Sequence, residues 1–286
     1  MFRGLPGNAI AFSALLWALP VGCAMQPNPS FPVTTAQARA ALGEMRRNPQ
    51  PLERPVIIAA GLFDAGMDVQ QMARTLRRVT LDNDMVATAT FMSLTTGSFD
   101  GCRDFLIEKV ERSWGATGTG ETIEVDVIGF SMGGLVARHA SRPRTDGGTR
   151  LVIRRLFTIS TPHRGARIAG WPTFDERTLD MRAGSEFLTD LDNILPDADY
   201  TMYNYTRLGD WIVGAENAAP PGRTAWWVPT PPASFSHLGA ATDPRIMADI
   251  ARRLRGDLPL TTEPPAPLSE VSGKTEITAT TGSQGT

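Results

Sequence analysis

The sequence predicts an α/β fold, with a mainly parallel sheet covered by helices on both faces. Short apolar runs alternate along the chain with amphipathic helical stripes, which is the pattern of such a sheet. One of these runs, at residues 123–128, passes through a glycine-rich turn directly into a helix. The 286 residues are 42% hydrophobic and 20% charged, a composition that suits a soluble globular protein with a sizeable core.

Residues 1–23 predict a secretory signal. Arg3 precedes an apolar run at 9–19, too short to span a membrane, and small residues follow it. The segment Val-Gly-Cys23 resembles a bacterial lipobox, in which the cysteine is lipidated, although Pro20 departs from the aliphatic residue usual there. The alternatives are ordinary cleavage after Gly22-Cys23-Ala24, which releases a soluble protein, or a buried N-terminal helix. We expect an exported protein that is periplasmic, anchored to the outer membrane at Cys23, or secreted.

Three segments follow the signal. Residues 24–54 read as a proline-rich linker with a helix at 35–47, and residues 259–286 as a disordered tail rich in Pro, Thr, Ser and Gly. The domain itself is expected over 55–258, with a short cap within 164–199. Its predicted strands lie at 55–60, 86–92, 122–128, 151–159, 200–205 and 224–228. Predicted helices carry apolar stripes at 69–79, 102–114, 132–141, 184–191 and 246–254.

The turn between the strand at 122–128 and the helix at 132–141 reads Gly-Phe-Ser131-Met-Gly. A strand, a sharp turn and a helix form the context of the G-x-S-x-G nucleophile elbow, which exposes a strained serine. Glycines beside the serine would let strand and helix pack closely. The motif predicts Ser131 as a catalytic nucleophile, and the alternative is an ordinary glycine-rich turn.

A serine hydroxyl needs a general base within hydrogen-bond reach, and the chain has only three histidines. His139 lies two turns along the helix after Ser131 and is expected to be structural. His163 follows a strand beside a proline and is expected to shape its loop. His237, in a predicted loop between the last strand and the last helix, is therefore the expected base.

The histidine needs a carboxylate that fixes its tautomer. Asp210 follows the strand at 200–205, which makes the chain order serine, aspartate, histidine. Asp197 and Asp199 precede that strand and would lie at its wrong end. Glu216 is the second candidate, and Asp210 could also be a simple turn residue.

The oxyanion of an acyl-transfer intermediate needs two backbone N–H donors. The amide of Met132, directly after the nucleophile, is the first expected donor. The amide of Leu62, in the turn after the strand at 55–60, is the second, with Phe63 as its alternative.

Five segments together resemble an α/β-hydrolase of the bacterial lipase and esterase type, over roughly residues 52–256. They are Gly-Phe-Ser131-Met-Gly-Gly-Leu-Val-Ala-Arg, Thr-Ile-Ser-Thr-Pro-His163-Arg-Gly, Ala-Gly-Ser-Glu-Phe-Leu, Gly-Asp210-Trp-Ile-Val and Ser-His237-Leu. The resemblance implies the α/β-hydrolase fold, a Ser131–Asp210–His237 triad and a structural role for His163. Two positions depart from the pattern: Ala60 stands where histidine usually precedes the oxyanion glycine, and Phe130 where lipases often have histidine.

The expected function is an exported serine carboxylic ester hydrolase that forms an acyl-enzyme on a small-molecule or lipid ester, a medium-chain acyl ester as the first guess. Phe63, Trp171 and Phe187 are candidates for an acyl pocket, although core packing explains them equally well. A thioesterase, an amidase, an acyltransferase on the same fold, or a non-catalytic envelope binding protein are the alternatives.

The composition and the spacing of the residues give no sign of a nucleic-acid partner, a cofactor or a metal. The net charge of −2 does not favour nucleic acid, and membrane association is expected only through Cys23. No cofactor or metal is expected, because two cysteines make no cysteine-based zinc site and no cluster has ligand spacing. If Cys23 is lipidated, Cys102 is expected to be a buried thiol.

Overall fold

The computed structural model describes residues 28–62, 64–92, 96–231 and 234–268. The predicted signal at 1–23, with Cys23, and the acyl-pocket candidate Phe63 lie outside the described residues. None of the described helices is both long enough and apolar enough to cross a membrane.

In the described part of the chain, six strands form one sheet in the order β2-β1-β3-β4-β5-β6, and every neighbouring pair is parallel. The strands are β1 Val56–Ala59, β2 Val86–Ala89, β3 Val125–Phe130, β4 Ile153–Ile159, β5 Thr201–Arg207 and β6 Trp226–Val228. The predicted parallel sheet is thus confirmed. Because the strands are parallel, their carboxyl ends meet at one edge, where α/β proteins place their sites.

Among the described residues, eight α-helices accompany the sheet. They are α1 Thr35–Arg47, α2 Met67–Arg77, α3 Phe99–Trp114, α4 Met132–Ala140, α5 Glu176–Asp180, α6 Glu186–Asn193, α7 Ser236–Ala241 and α8 Pro244–Leu254. Val56 and Ile58 of β1 belong to the core cluster that α1, α2 and α8 cover, whereas Ile57 and Ala59 belong to the cluster under α3, α4 and α6. Successive strand residues therefore bury into opposite cores, which confirms that helices cover both faces.

Capping and pairing explain where the elements begin and end. The predicted helix at 35–47 is present as α1, because Thr34 and Gln37 form a capping box. Helix α3 begins at Phe99, ahead of the predicted stripe, because the Ser98 hydroxyl accepts from the Gly101 amide. Strand β2 ends earlier than predicted, because its neighbour β1 ends where Ala59 pairs with Ala89.

The prediction of a loop around His237 is wrong, since His237 lies in the first turn of α7. The short segment carries a glycine, and its N-cap Phe235 makes no side-chain cap, so local signals for a helix are weak. Four of its six residues are buried, and tertiary packing therefore stabilises α7.

The described chain continues to contact the domain beyond the predicted boundary at 258. The Thr261 amide donates to Asp249 at 3.0 Å, and the Trp226 indole donates to the carbonyl of Thr262 at 3.0 Å. The start of the predicted disordered tail is thus corrected for residues 259–268, since these hydrogen bonds hold them on the domain. Residues 269–286 lie outside the described residues.

Candidate active site

Ser131 occupies the turn between β3 and α4 in a strained backbone conformation. Its φ of 51° and ψ of −125° lie in a region that residues with a Cβ rarely adopt. The Ser131 amide donates to the Ile159 carbonyl at the end of β4, at 2.9 Å, which ties the turn to the neighbouring strand. The side chain is partly exposed, as a nucleophile must be.

The glycines around Ser131 are required by close packing, as the motif predicts. A Cβ on Gly133 would lie 2.2 Å from the Ala59 carbonyl oxygen of β1. A Cβ on Gly129 would lie 2.4 Å from the Cα of Gly134. Because neither position has room for a methyl group, strand and helix can meet at this angle only with glycine there.

His237 faces the nucleophile from α7. Its Nε2 lies 3.1 Å from the Ser131 hydroxyl oxygen, and its ring, 5% exposed, packs beside Phe130 with 5.2 Å between ring centroids. Phe130 stands where lipases often have histidine, and here it supports the face of the imidazole.

Asp210 completes the arrangement from the turn after β5. One carboxylate oxygen, Oδ2, lies 2.8 Å from His237 Nδ1, and the other, Oδ1, accepts from the amides of Ile212 and Val213 at 3.0 Å each. Burial alone would raise the pKa of this carboxyl, but the hydrogen bond and charge of His237 and the Val213 amide outweigh burial and lower it. The ionised carboxylate can only accept, so the Nδ1 proton points at Asp210 and Nε2 is free to accept from Ser131.

The second acid candidate, Glu216, lies elsewhere. Its carboxylate pairs with Arg167 at 2.7 Å, and both side chains are 43% exposed. It makes no contact with His237 among the described residues, so the structure favours Asp210.

The other two histidines have structural partners. His139 Nε2 lies 2.8 Å from Asp100 Oδ1. His163 is fully buried, with Nδ1 3.0 Å from an Arg138 nitrogen and Nε2 3.2 Å from the Thr158 hydroxyl. A guanidinium only donates, so His163 accepts at Nδ1. Burial and the Arg138 charge hold the pKa of His163 well below its usual range, which keeps the ring neutral.

Solved structures resemble this chain, whereas no family model matches it and no curated protein sequence does. Phospholipase PlaB from Legionella pneumophila, in complex with thio-NAD, aligns with a TM-score of 0.53 at 13% identity, over 71% of this chain and 58% of that one. A Listeria innocua gene product, lin2722, has a TM-score of 0.49 at 14% identity, over 70% of this chain and 92% of that one. The mature lipase BlEst2 from Bacillus licheniformis has a TM-score of 0.47 at 15% identity, over 76% and 95%. The chain therefore spans less than two thirds of PlaB.

The chain has the α/β-hydrolase fold. Its sheet order, and a serine, an acid and a histidine that follow β3, β5 and β6, agree with that assignment. At identities this low the likeness concerns the fold alone.

In α/β-hydrolases the oxyanion donors are the amide after the nucleophile and an amide in the loop after an early strand, and these are the two places that the sequence analysis predicts. Met132 is the first residue of α4, so its N–H has no partner within the helix. Leu62 follows Gly61, and a Cβ added to Gly61 would lie 3.1 Å from the Cβ of Ser131. Leu62 also lines the same cavity as Ser131. The role of these two amides with an oxyanion stays a prediction.

A cavity of about 620 Å³ opens onto Ser131 and His237. Trp171, one of the acyl-pocket candidates, lines it. Phe187 is not among the lining residues: its ring stacks on Phe99 of α3 at 4.0 Å between centroids, which agrees with the core-packing alternative. The helix carrying Phe187 turns this side chain toward α3, and a helical stripe alone cannot tell which neighbour it meets.

Four cavity residues present large exposed apolar side chains at the mouth, and we call them the apolar rim. They are Met67, Trp171, Trp211 and Leu238. The sequence reasoning missed three of them. Trp211 and Leu238 directly follow the acid and the base, and that adjacency could have placed them at the mouth.

Two carboxylate residues, Asp64 and Asp68, also line this mainly apolar cavity, and the sequence analysis did not single them out. The Asp64 carboxylate accepts a hydrogen bond from the Gly66 amide at 2.7 Å. Burial is the main cause that raises the pKa of Asp68, and the negative charge of Asp64 adds to it. Among the described residues, no group of three or more His, Cys, Asp or Glu side chains could hold a metal ion.

Proposed function

We propose that this chain is a serine carboxylic ester hydrolase that works through an acyl-enzyme. The observation that carries the proposal is the continuous contact from Ser131 through His237 to Asp210, at 3.1 and 2.8 Å, beside an open apolar cavity. A Ser–His–Asp arrangement of this geometry activates a hydroxyl that is otherwise a weak nucleophile.

In the first half of the reaction, Ser131 Oγ forms a bond to the ester carbonyl carbon while its proton moves to His237 Nε2. The carbonyl oxygen becomes an oxyanion, which the amides of Met132 and Leu62 stabilise. The bond from carbon to the alcohol oxygen then breaks, and His237 gives its proton to the departing alcohol. Asp210 stays ionised and stabilises the imidazolium throughout.

In the second half, water replaces the alcohol. His237 removes a proton from the water as its oxygen attacks the acyl carbon. The bond from carbon to Ser131 Oγ breaks, and the proton returns from His237 to the serine. The products are one carboxylic acid and one alcohol, and the enzyme is restored.

The lining of the cavity suits a substrate that binds through an apolar acyl chain. Its lining is mainly apolar, and Ile168, Met181 and Val213 are among the residues that line it together with Ser131. The apolar rim extends this surface outward, and Trp171 is 69% exposed there. A medium-chain or longer acyl ester presented from a lipid surface is the substrate class that these features favour.

The proposal is tested by hydrolysis of p-nitrophenyl esters from C2 to C16, with wild type and Ser131→Ala side by side. We expect the variant to keep at most the catalysis of about 10³–10⁴ over water that binding and the oxyanion donors alone provide. A burst of p-nitrophenol equal to the enzyme concentration would show the acyl-enzyme. Equal rates for variant and wild type would refute the serine mechanism.

Product analysis separates the alternatives on the same fold. Activity on thioesters or amides but not on esters would replace the proposed reaction class. Transfer of the acyl group to an added alcohol, faster than to water, would indicate an acyltransferase. A folded protein that does not react with a fluorophosphonate probe would instead favour the binding-protein alternative.

The apolar rim has its own test, on emulsified long-chain ester against soluble p-nitrophenyl acetate. Trp171→Ala and Leu238→Ala should each lower activity on the emulsion by at least about fivefold, the factor that roughly 1 kcal/mol represents, and change the soluble activity less. Leu258→Ala is the matched control, because Leu258 is also exposed but does not line the cavity. An equal loss in all three variants would refute a role of the rim.

We also propose that the enzyme is exported. This part is supported only by the signal-like residues 1–23 and by the lipobox-like Cys23. Mass spectrometry of the mature N-terminus tests it: a lipid-modified Cys23 indicates an anchored protein, and an intact Met1 contradicts export.

A further inference from the structure

Ser160 shares an unusual backbone conformation with Ser131. Among the described residues, Ser131 and Ser160 are the only ones other than glycine with a positive φ, and that of Ser160 is 47°. Ser160 directly follows β4, is fully buried, and donates its amide to the Tyr205 carbonyl of β5 at 2.8 Å. A glycine would take this backbone conformation freely, whereas a residue with a Cβ is strained there by about 1–3 kcal/mol.

The Ser160 hydroxyl is a buried polar group that lacks a well-formed hydrogen bond within the described part of the chain. No described atom meets its Oγ in hydrogen-bond geometry. Leaving a hydroxyl buried and unpaired is unfavourable, so a strained serine with an idle hydroxyl needs a reason. The hydroxyl cannot be there to shape the backbone, because glycine would do that better.

The nearby carboxylate has an open acceptor position. A carboxylate offers about four acceptor sites, and Asp210 uses three, for His237 and for the amides of Ile212 and Val213. Burial raises the pKa of Asp210, and the donors around it, His237 foremost and the Ser160 hydroxyl among them, lower it. The hydroxyl is therefore close enough to act on the carboxylate while it stands outside strict hydrogen-bond geometry.

We propose that Ser160 is a positioning residue, whose hydroxyl donates to the fourth acceptor site of Asp210 when His237 takes up the proton of Ser131. At that moment the carboxylate must hold its orientation toward a cationic ring. A donor on its remaining side opposes rotation of the carboxylate, which the two amides on Oδ1 restrain only from one edge. This inference rests on the proposed ester hydrolysis.

Two variants separate the hydroxyl from the backbone. Ser160→Ala removes the hydroxyl and keeps the strain, and Ser160→Gly removes both. We expect kcat/KM at pH 7 to fall by about tenfold in both, with KM nearly unchanged, which is the scale of one hydrogen bond to a charged group. The acid limb of the kcat/KM profile should also move to higher pH, because Asp210 loses a donor that keeps it ionised.

Ser141→Ala is the matched control. Its hydroxyl is also buried and donates to the Arg138 carbonyl at 2.9 Å, away from the triad. This variant should keep the wild-type pH profile, whatever it does to the melting temperature. A merely structural role of Ser160 would likewise move the melting temperature and leave the acid limb in place.

The outcomes decide the inference. Wild-type kcat/KM and pH profile in both Ser160 variants would overturn it, and so would wild-type behaviour of Ser160→Gly alone, since strain would then be the cause. If Ser160→Ala does not fold, Ser160→Gly carries the test. If the wild type hydrolyses no ester, the proposed function fails, and the rate of fluorophosphonate labelling of Ser131 in wild type and variants still tests the hydroxyl. A wild type that does neither would overturn both proposals.

Discussion

Replacing Asp210 by asparagine tests the triad at its best-defined hydrogen bonds. Oδ1 accepts from two backbone amides, of Ile212 and Val213, and Oδ2 accepts from His237 Nδ1. An asparagine has one oxygen and one NH₂ group, and backbone amides can only donate, so the oxygen must stay with the amides. The NH₂ group then faces His237 and forces Nδ1 to become an acceptor.

The consequence is a misplaced proton. With Nδ1 accepting, the proton lies on Nε2, the nitrogen 3.1 Å from Ser131 Oγ, and the ring cannot take the proton of the serine. In a serine triad this change of tautomer lowers kcat by about 10⁴, which is roughly 5.5 kcal/mol at 1.36 kcal/mol for each factor of ten. We expect a loss of that size, with the backbone around residue 210 intact.

The assay is kcat on p-nitrophenyl butyrate at pH 7, with the melting temperature as a check of folding. Glu216→Gln is the control, because Glu216 is the other acid candidate and pairs with Arg167 on the surface. It should keep nearly full activity, since exposed ion pairs contribute about 0–1 kcal/mol. A folded Asp210→Asn protein within tenfold of the wild type would refute Asp210 as the orienting acid.

Four further predictions concern packing, strain, charge and the thiol. Gly133→Ala should destabilise the protein by about 1–3 kcal/mol, because its Cβ would overlap the Ala59 carbonyl, while Gly170→Ala, with open space around it, should be neutral in the same thermal melt. The free energy of unfolding of Ser131→Gly should exceed that of Ser131→Ala by about 1 kcal/mol, since glycine adopts φ 51° without strain. Equal melting temperatures of the two variants would contradict this. Burial would raise the pKa of Asp243, but the hydrogen bonds and charges of its arginine partners outweigh burial and lower it below 3.8. The stabilisation by the ionised Asp243 is therefore present above that pH and is lost as the pH falls through the folded-state pKa. The difference in unfolding free energy between wild type and Asp243→Asn should shrink on acidification. Burial raises the pKa of Cys102 to about 11, so the thiol should resist iodoacetamide at pH 8 until the protein is unfolded.

The order of the elements and the three proposed triad residues were predictable because each rests on a local or scarce signal. Continuous apolar runs indicate strands buried on both faces, and β1, with the sequence Val-Ile-Ile-Ala, is fully buried as its run predicts. Only three histidines had to be sorted, and their positions relative to the strands were enough. Ser131, Asp210 and His237 all follow strands or lie near strand ends, where a parallel sheet brings them together.

Features set by tertiary packing were not predictable. Phe187 lies on a helix that the sequence located, but its contact with Phe99 depends on how α6 and α3 meet. Helix α7 lacks a polar cap and forms because its residues are buried. The idle hydroxyl of Ser160 was invisible for another reason, since a serine after a strand is unremarkable until its φ and burial are known.

The strain in this site is held by the sheet. The Ser131 amide, after β3, donates to the Ile159 carbonyl of β4, and the Ser160 amide, after β4, donates to the Tyr205 carbonyl of β5. These two hydrogen bonds extend the pairing with the neighbouring strand to Ser131 and Ser160, the residues with unfavourable positive φ values. Strained residues persist only where their surroundings over-determine them. The relative positions of Ser131 and Asp210 are therefore set by the register of β3, β4 and β5. A change in that register would separate the two residues without a substitution at either.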